Sequence, residues 1–451
     1  MNLKFIFSII LIFGQISAQQ VGQPIRLADC ISQALGKNPA LQISQAKVDA
    51  AEARSSEVTT ALLPQLKFNG RISELSSVDN TIALSLPLPP PVGQISTKMN
   101  LFPSITENYS MRLTLQQPIF TGFKLMRSQE MAKLNATAAH EDLTKDQSDL
   151  VLNVITAYWT LYRSVKVEEV IRQSVEQMLE HLKDINNLEK QGLATGADVM
   201  KVQAQVSDVK VKHIEARNAI RLAMMALNSI IGNSLDIQVM PSDTPKVFLA
   251  RDNALINEDL KVLQQNAYEH RAEMRSMKLR QEMNRAGLSA AKGGWYPQLF
   301  FVANYDYSRP NQRIIPPKDR WDGTWDLGVT FQWNLWDWYA TGYQTTQSEA
   351  SLRQTEAGAV QLKDAVTLEV AQQYFNVQKA MEQVDVASDG VMQAQESFRM
   401  TSEKFKNGVA SNTELLDAET VLLQAKLTHT QAEVERTLAL SRLKRAVGEN
   451  Q

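Results

Sequence analysis

The stretch Asp326-Leu327-Gly328-Val329-Thr330-Phe331-Gln332-Trp333-Asn334-Leu335-Trp336 decides the fold. Leu327, Val329, Phe331, Trp333 and Leu335 alternate with Asp326, Gly328, Thr330, Gln332 and Asn334, which is the period of a strand with one apolar and one polar face. A half-buried strand of a soluble sheet alternates in the same way. What favours a membrane strand is the crowd of rings around it: Trp295, Tyr296, Tyr305, Tyr307, Trp321, Trp325, Trp333, Trp336, Trp338 and Tyr339. Such rings belong at the level of lipid headgroups.

Three further segments alternate. Leu299, Phe301, Ala303, Tyr305 and Tyr307 do so, as do Met111, Leu113 and Leu115, and more weakly Leu66, Phe68 and Ile72. They form two strand pairs, at about 65–118 and about 298–336. The connections inside the pairs are rich in proline, Pro87 to Pro91 and Pro310 to Pro317, and are expected outside the cell as exposed loops. The residues expected to face lipid are Leu113, Leu115, Phe301, Tyr305, Val329, Phe331 and Trp333. Four strands cannot close a barrel, because bacterial barrels begin at about 8 strands and lipid leaves an open edge unsatisfied. The missing strands must come from other copies of the chain.

The rest of the sequence is duplicated. Leu62-Leu63-Pro64-Gln65-Leu66 is echoed by Trp295-Tyr296-Pro297-Gln298-Leu299, and Gln116-Gln117-Pro118-Ile119-Phe120 by Gln332-Trp333-Asn334-Leu335-Trp336. Lys190-Gln191-Gly192-Leu193-Ala194 then matches Lys406-Asn407-Gly408-Val409-Ala410, and Ile231-Gly232 matches Val447-Gly448, at one constant displacement. Each half contains one long run without proline, about Phe123 to Leu188 and about Tyr343 to Lys406. As a helix the first would measure roughly 100 Å, against roughly 30 Å for the apolar core of a bilayer, so it must stand in water. Seams at heptad spacing mark the faces that meet neighbouring helices: Val370, Tyr374, Val377, Met381, Val384, Ser388 and Val391, continued by Phe398 and Phe405, and in the first half Val154, Tyr158, Leu161, Val165, Val175, Leu179 and Leu182. Shorter helices are expected over about 27–62, 196–231, 257–293 and 412–447.

The resulting organisation is an export signal over 1–18, a first repeat over 19–232, a linker over 233–256 and a second repeat over 257–451. The signal rests on Lys4, the apolar run Phe5 to Phe13 and the small-residue site Ser17-Ala18. Cys30 is the single cysteine. It lies well beyond the apolar run and next to Asp29, which argues against lipid acylation and for a small buried hydrophobe. The 47 basic and 49 acidic side chains nearly cancel, so no global field recruits nucleic acid. His140, His181, His213, His270 and His429 show no metal-ligand spacing, and no phosphate-cradling loop or nucleophile elbow appears, so neither a cofactor nor an enzyme activity is expected.

Ala34-Leu35-Gly36-Lys37-Asn38-Pro39-Ala40-Leu41 and Gln117-Pro118-Ile119-Phe120-Thr121-Gly122, with the duplication, resemble the TolC family of outer-membrane efflux proteins over essentially the whole mature chain. The second copy of the strand-to-helix signature, Trp333 to Trp338, lacks the proline. The resemblance implies a mainly α fold with a membrane β portion: a homotrimer whose long antiparallel coiled-coil helices form an α-barrel and whose protomers each give four strands to a shared 12-stranded β-barrel. It implies an outer-membrane location with a long periplasmic extension, and passive conduction when a periplasmic adaptor and, through it, an inner-membrane pump engage. The turns with Gly192, Leu193, Gly408, Val409 and Ala410 correspond to the adaptor-contacting tips, and Asp198, Glu414 and Asp417 to acidic residues at the periplasmic entrance. Acidic residues in a first helical turn also stabilise the helix dipole, and both readings stand here. Positions where relatives place a tyrosine and an arginine as a polar latch hold Phe405 and Ala410. Two alternatives remain open at this point, the exit duct of a type I secretion system and a periplasmic coiled-coil adaptor.

Overall fold

A computed structural model describes residues 23–78, 81–87, 90–91, 94–100, 104–245 and 258–449. The expected export signal lies outside these residues, as does the linker beyond 245. In chain order the elements are β1 (Gln23–Ile25), α1 (Leu27–Lys37), α2 (Pro39–Thr60), β2 (Gln65–Glu74), β3 (Thr81–Pro87), β4 (Gln94–Asn100), β5 (Glu107–Phe120), α3 (Lys124–Lys190), α4 (Gly196–Ile231), β6 (Val239–Pro241), α5 (Leu260–His270), α6 (Ala272–Lys292), β7 (Gln298–Arg309), β8 (Asp322–Gln332), α7 (Ala340–Lys406) and α8 (Asn412–Val447). The duplication is visible in the lengths: α3 and α7 have 67 residues each, α4 and α8 have 36 each. Among the described residues no helix is long and apolar enough to cross a membrane.

The compact units are not the sequence repeats. Among the described residues, those within 1–45, 142–274 and 362–451 form one unit and those within 46–141 and 275–361 the other, so each is assembled from both halves. The first unit is helical. Its core has three clusters, one around Tyr158, Trp159 and Leu227, one around Leu263, Val370 and Leu443, and one around Met178, Val202 and Leu416. Cys30 is fully buried in the first of these, and burial pushes its thiol up to about 12, as expected of an inert apolar side chain.

Part of the expected linker belongs to this unit. β6 pairs in parallel with β1, and the amides of Ser242 and Asp243 donate to the Tyr158 hydroxyl at 3.1 and 3.0 Å. Two of the shorter helices are each broken in two, at Asn38 and at Arg271, both of which are extended caps rather than helical residues. Pro39 disfavours the helical conformation in the residue before it, which explains the first break. The seam of α3 also shifts. Val154, Tyr158 and Leu161 are buried as expected, but further along the buried positions are Ile171, Ser174, Met178, His181 and Ile185, not Val175, Leu179 and Leu182.

The second unit holds an antiparallel sheet in the order β2-β5-β7-β8, so β5 of the first half pairs with β7 of the second. The first proline-rich connection is not a plain loop, since β3 and β4 form a separate hairpin within it. β8 starts at Asp322 and ends at Gln332, earlier than its alternation indicated, so Trp333 lies beyond the strand and its indole donates to the Trp295 carbonyl at 3.2 Å. Strand-to-helix turns in both halves use paired left-handed residues, Gly122 and Phe123 (φ 62° and 66°), then Trp338 and Tyr339 (φ 56° and 65°). A Cβ at Gly122 would collide with the Gly293 carbonyl oxygen, so the first turn needs its glycine.

Candidate functional site: a two-faced sheet and a helical tip

Cross-strand neighbours give the sheet two faces. Leu66, Leu115, Ala303 and Leu327 form one row, and Phe68, Leu113, Tyr305 and Trp325 the next. Most of these side chains are exposed rather than packed, Phe68 to 66% and Tyr305 to 50%, while Leu115 and Ala303 are half-buried. Such a contiguous apolar surface is unstable in water and stable in lipid. On the opposite face Arg112 bonds Asp306 at 2.5 Å, Thr114 donates to Asn304 at 2.9 Å, and Asn304 and Arg313 donate to Asp326 at 2.9 and 2.5 Å. Phe300 and Val302 also lie on this second face and interrupt its polarity between the Gln298–Gln332 and Asn304–Asp326 pairs. β2 and β8 are the outer strands, each with one edge unpaired among the described residues.

In the helical unit, α3, α4, α7 and α8 converge at two turns of matching construction. Gly192 (φ 76°) and Gly408 (φ 69°) reverse the chain, and the amides of Leu193 and Val409 donate back to Leu188 and Lys404 at 2.9 and 2.8 Å. Leu193 and Val409 stand out from the turns, Val409 at 75% exposure, while Ala410 is half-buried. Thr195 and Ser411 then cap the outgoing helices, and Asp198 and Glu414 complete the capping boxes by accepting from the Thr195 and Ser411 amides at 3.0 and 2.7 Å. Hydrogen bonds from the Thr195 side chain and backbone hold the Asp198 carboxyl below its ordinary range, and those from the Ser411 backbone and side chain do the same for Glu414. Of the three carboxylates expected at the entrance, Asp198 and Glu414 are thus engaged in their own helices, while Asp417 is exposed on the surface of α8.

The two hairpins touch at three polar points near the turns. Asn412 donates to the Asp198 carbonyl at 3.4 Å, Lys201 donates to Thr413 at 2.8 Å, and His181 Nδ1 meets Glu419 Oε2 at 3.2 Å. Sequence reading missed the last pair because its members are 238 positions apart. A usable signal was present, since His181 continues the three- and four-residue steps of Ile171, Ser174, Met178 and Ile185.

An outer membrane efflux protein family model matches residues 30–233 and 263–449. The chain belongs to the outer membrane efflux protein family. The outer membrane protein TolC of Salmonella enteritidis is 22% identical over 443 residues, covering 94% of this chain and 82% of that protein. The outer membrane efflux protein BepC of Brucella suis is 22% identical over 339 residues, covering 74% and 71%. Among solved structures, VceC from Vibrio cholerae superposes with a TM-score of 0.76 at 16% identity, covering 94% of this chain and 96% of that one. CusC superposes at 0.77 with 15% identity, covering 94% and 92%. As a TolC-family protein the chain is an outer-membrane efflux channel component and not an enzyme, and its fold is the helical barrel with a β contribution.

Proposed function

We propose that three copies assemble into one conduit that passively passes substrates from periplasm to exterior once a periplasmic adaptor, coupled to an inner-membrane pump, engages the turns at Gly192–Leu193 and Gly408–Ala410. The observation that carries this reading is the four-stranded sheet with one exposed apolar face, one polar face and unpaired outer edges. In lipid each unpaired backbone group costs several kcal/mol, and a closed ring of copies removes that cost. Three protomers with four strands each supply twelve, above the roughly eight that bacterial barrels need.

A photo-crosslinking residue at Val409 is expected to capture a periplasmic adaptor in intact cells, identified by mass spectrometry, because this residue is 75% exposed at the turn. Capture of neighbouring copies alone would remove the adaptor from the reading. The adaptor's own inner-membrane partner then distinguishes efflux from type I secretion.

Threefold symmetry turns Asp417 into a ring of carboxylates able to bind and be blocked by multivalent cations. With Glu414 committed to its cap, Asp417→Asn is expected to abolish cation block in single-channel recordings. Glu414→Gln should leave block in place, because glutamine can also complete the capping box. Block that survives Asp417→Asn and disappears in Glu414→Gln would reverse the assignment.

A further inference from the structure

The connection after β7 folds back over the sheet instead of standing clear of it. Asn311, 3% exposed, donates from Nδ2 to the Asp322 carbonyl at 3.0 Å and to Thr324 Oγ1 at 3.2 Å, and its side-chain oxygen accepts from the Arg313 amide at 3.0 Å. Arg313 then donates to the Trp325 carbonyl at 3.1 Å and to Asp326 at 2.5 Å. Thr324 and Asp326 lie on the polar face, so these bonds draw the connection across that face. It borders a cavity of about 560 Å³, within the roughly 300–1,000 Å³ of small-molecule sites. The lining includes Asn69 and Arg71 from β2, Asn108 and Arg112 from β5, Asp306 from β7, and Arg313.

Charge on this face is divided unevenly. The acids Asp306, Asp322 and Asp326 lie on β7 and β8, and each has its own arginine: Arg112 at 2.5 Å, Arg320 at 3.0 Å and Arg313 at 2.5 Å. The cations Lys67 and Arg71 lie on β2, and among the described residues neither has a bonding partner. Arg71 is opposite Ser110 and therefore diagonal to Arg112. Such diagonal neighbours are about 7–8 Å apart, within reach of long side chains. Arg112 commits Nε to Asp306, itself 8% exposed, while its terminal nitrogens take no bond among the described residues. Asp306 answers Arg112 and Asp326 answers Arg313, which leaves the charge of Arg71 over.

We propose that this cavity binds an organic anion bearing two or more carboxylates on its way out, held by Arg71 and Arg112. This names a substrate class for the channel reading above and rests on it. A guanidinium presents paired N–H donors that match the two oxygens of a carboxylate, and two of them on diagonal positions can each take one. The amides of Asn69 and Asn108 add neutral hydrogen bonds for the rest of the ligand. A single surplus charge on a water-facing wall attracts an anion without trapping it, which conduction requires.

Single-channel recordings of purified trimers in about 0.1 M salt, where the Debye length is about 10 Å, test this with citrate as the probe. Citrate is expected to interrupt the wild-type current, and glucose, uncharged and of similar size, is not. Arg71→Gln should raise the concentration for half-block about tenfold or more, the effect of losing a charge-assisted hydrogen bond. Lys67→Gln is the comparison. Lys67 is on the same face and strand but outside the cavity lining, about 13 Å from Arg71. That exceeds the Debye length, so its change should stay under about twofold. Equal weakening in the two variants would show a diffuse field and overturn the site. So would wild-type block by glucose that matches citrate, or no block at all. Loss of trimers in Arg71→Gln overturns it too, because β2 is an outer strand and the guanidinium would then belong to a neighbouring copy. A chain that conducts no current overturns the channel reading instead.

Discussion

Val329→Arg is expected to destabilise the assembled protein far more than Thr330→Arg, although the two positions are adjacent, both exposed and on the same strand. Val329 shares its face with Phe301 and Phe331, whereas Thr330 lies on the other. An arginine on the lipid side of a barrel costs about 2–4 kcal/mol near the bilayer midplane and less toward the interfaces. On the opposite side it can be solvated, so the change there should stay within about 1 kcal/mol. The cost on the lipid side recurs in every copy. Urea titration of trimers reconstituted in lipid, read by heat-modifiable gel migration, measures both. Equal losses for the two variants would mean that the sheet does not present one face to lipid.

Arg445→Met should cost about 3 kcal/mol, the lower end for breaking a buried ion pair, since the Arg445 side chain keeps 15% exposure. Its guanidinium contacts Asp149 at 2.6 Å, Glu273 at 2.8 Å and Glu369 at 3.3 Å. Arg271 reaches Glu369 at 2.7 Å and Glu273 at 3.2 Å, leaving Arg445 as the cation that draws all three carboxylates together. Burial pushes the Glu273 carboxyl up, but the bond from Arg271 and the charges of both arginines outweigh it and its net shift is down. Asp149 is likewise raised by burial and lowered further by Lys145 and Arg445. A depressed carboxyl contributes stability that is complete above its ordinary range and lost as pH falls through its folded value. Wild type should therefore weaken toward acid through these groups. In Arg445→Met the carboxylates repel one another, so protonation relieves the variant and its deficit should shrink as pH falls. Denaturant unfolding at several pH values reads both signs. A loss under about 1 kcal/mol, or a deficit that grows toward acid, would show the cluster to be a solvated surface feature.

The elements themselves were legible before any coordinates. A run without proline and with heptad apolar spacing has no other stable conformation in water than a long helix against a neighbour, and α3 and α7 follow from that. Alternation marked all four sheet strands because the side-chain period of a strand is fixed at two. The reversing glycines Gly192 and Gly408 were readable because local backbone geometry admits few residues there. The end of β8 was not, because alternation continues through Trp333 and Leu335 after the ladder has stopped. The hairpin in the first proline-rich connection was also missed, since proline weakens a strand signal even at a strand end.

Tertiary structure alone decided which distant residues meet. The sequence has two repeats, yet the compact units are each built from both, because an amphipathic helix or a strand edge buries itself against whatever surface is complementary, regardless of chain order. That rule places β5 beside β7 and gathers Arg445 with three carboxylates. It also brings His181 against Glu419. A heptad position announces that a side chain will be buried, but the identity of its partner is a property of packing, and no local spacing in the sequence contains it.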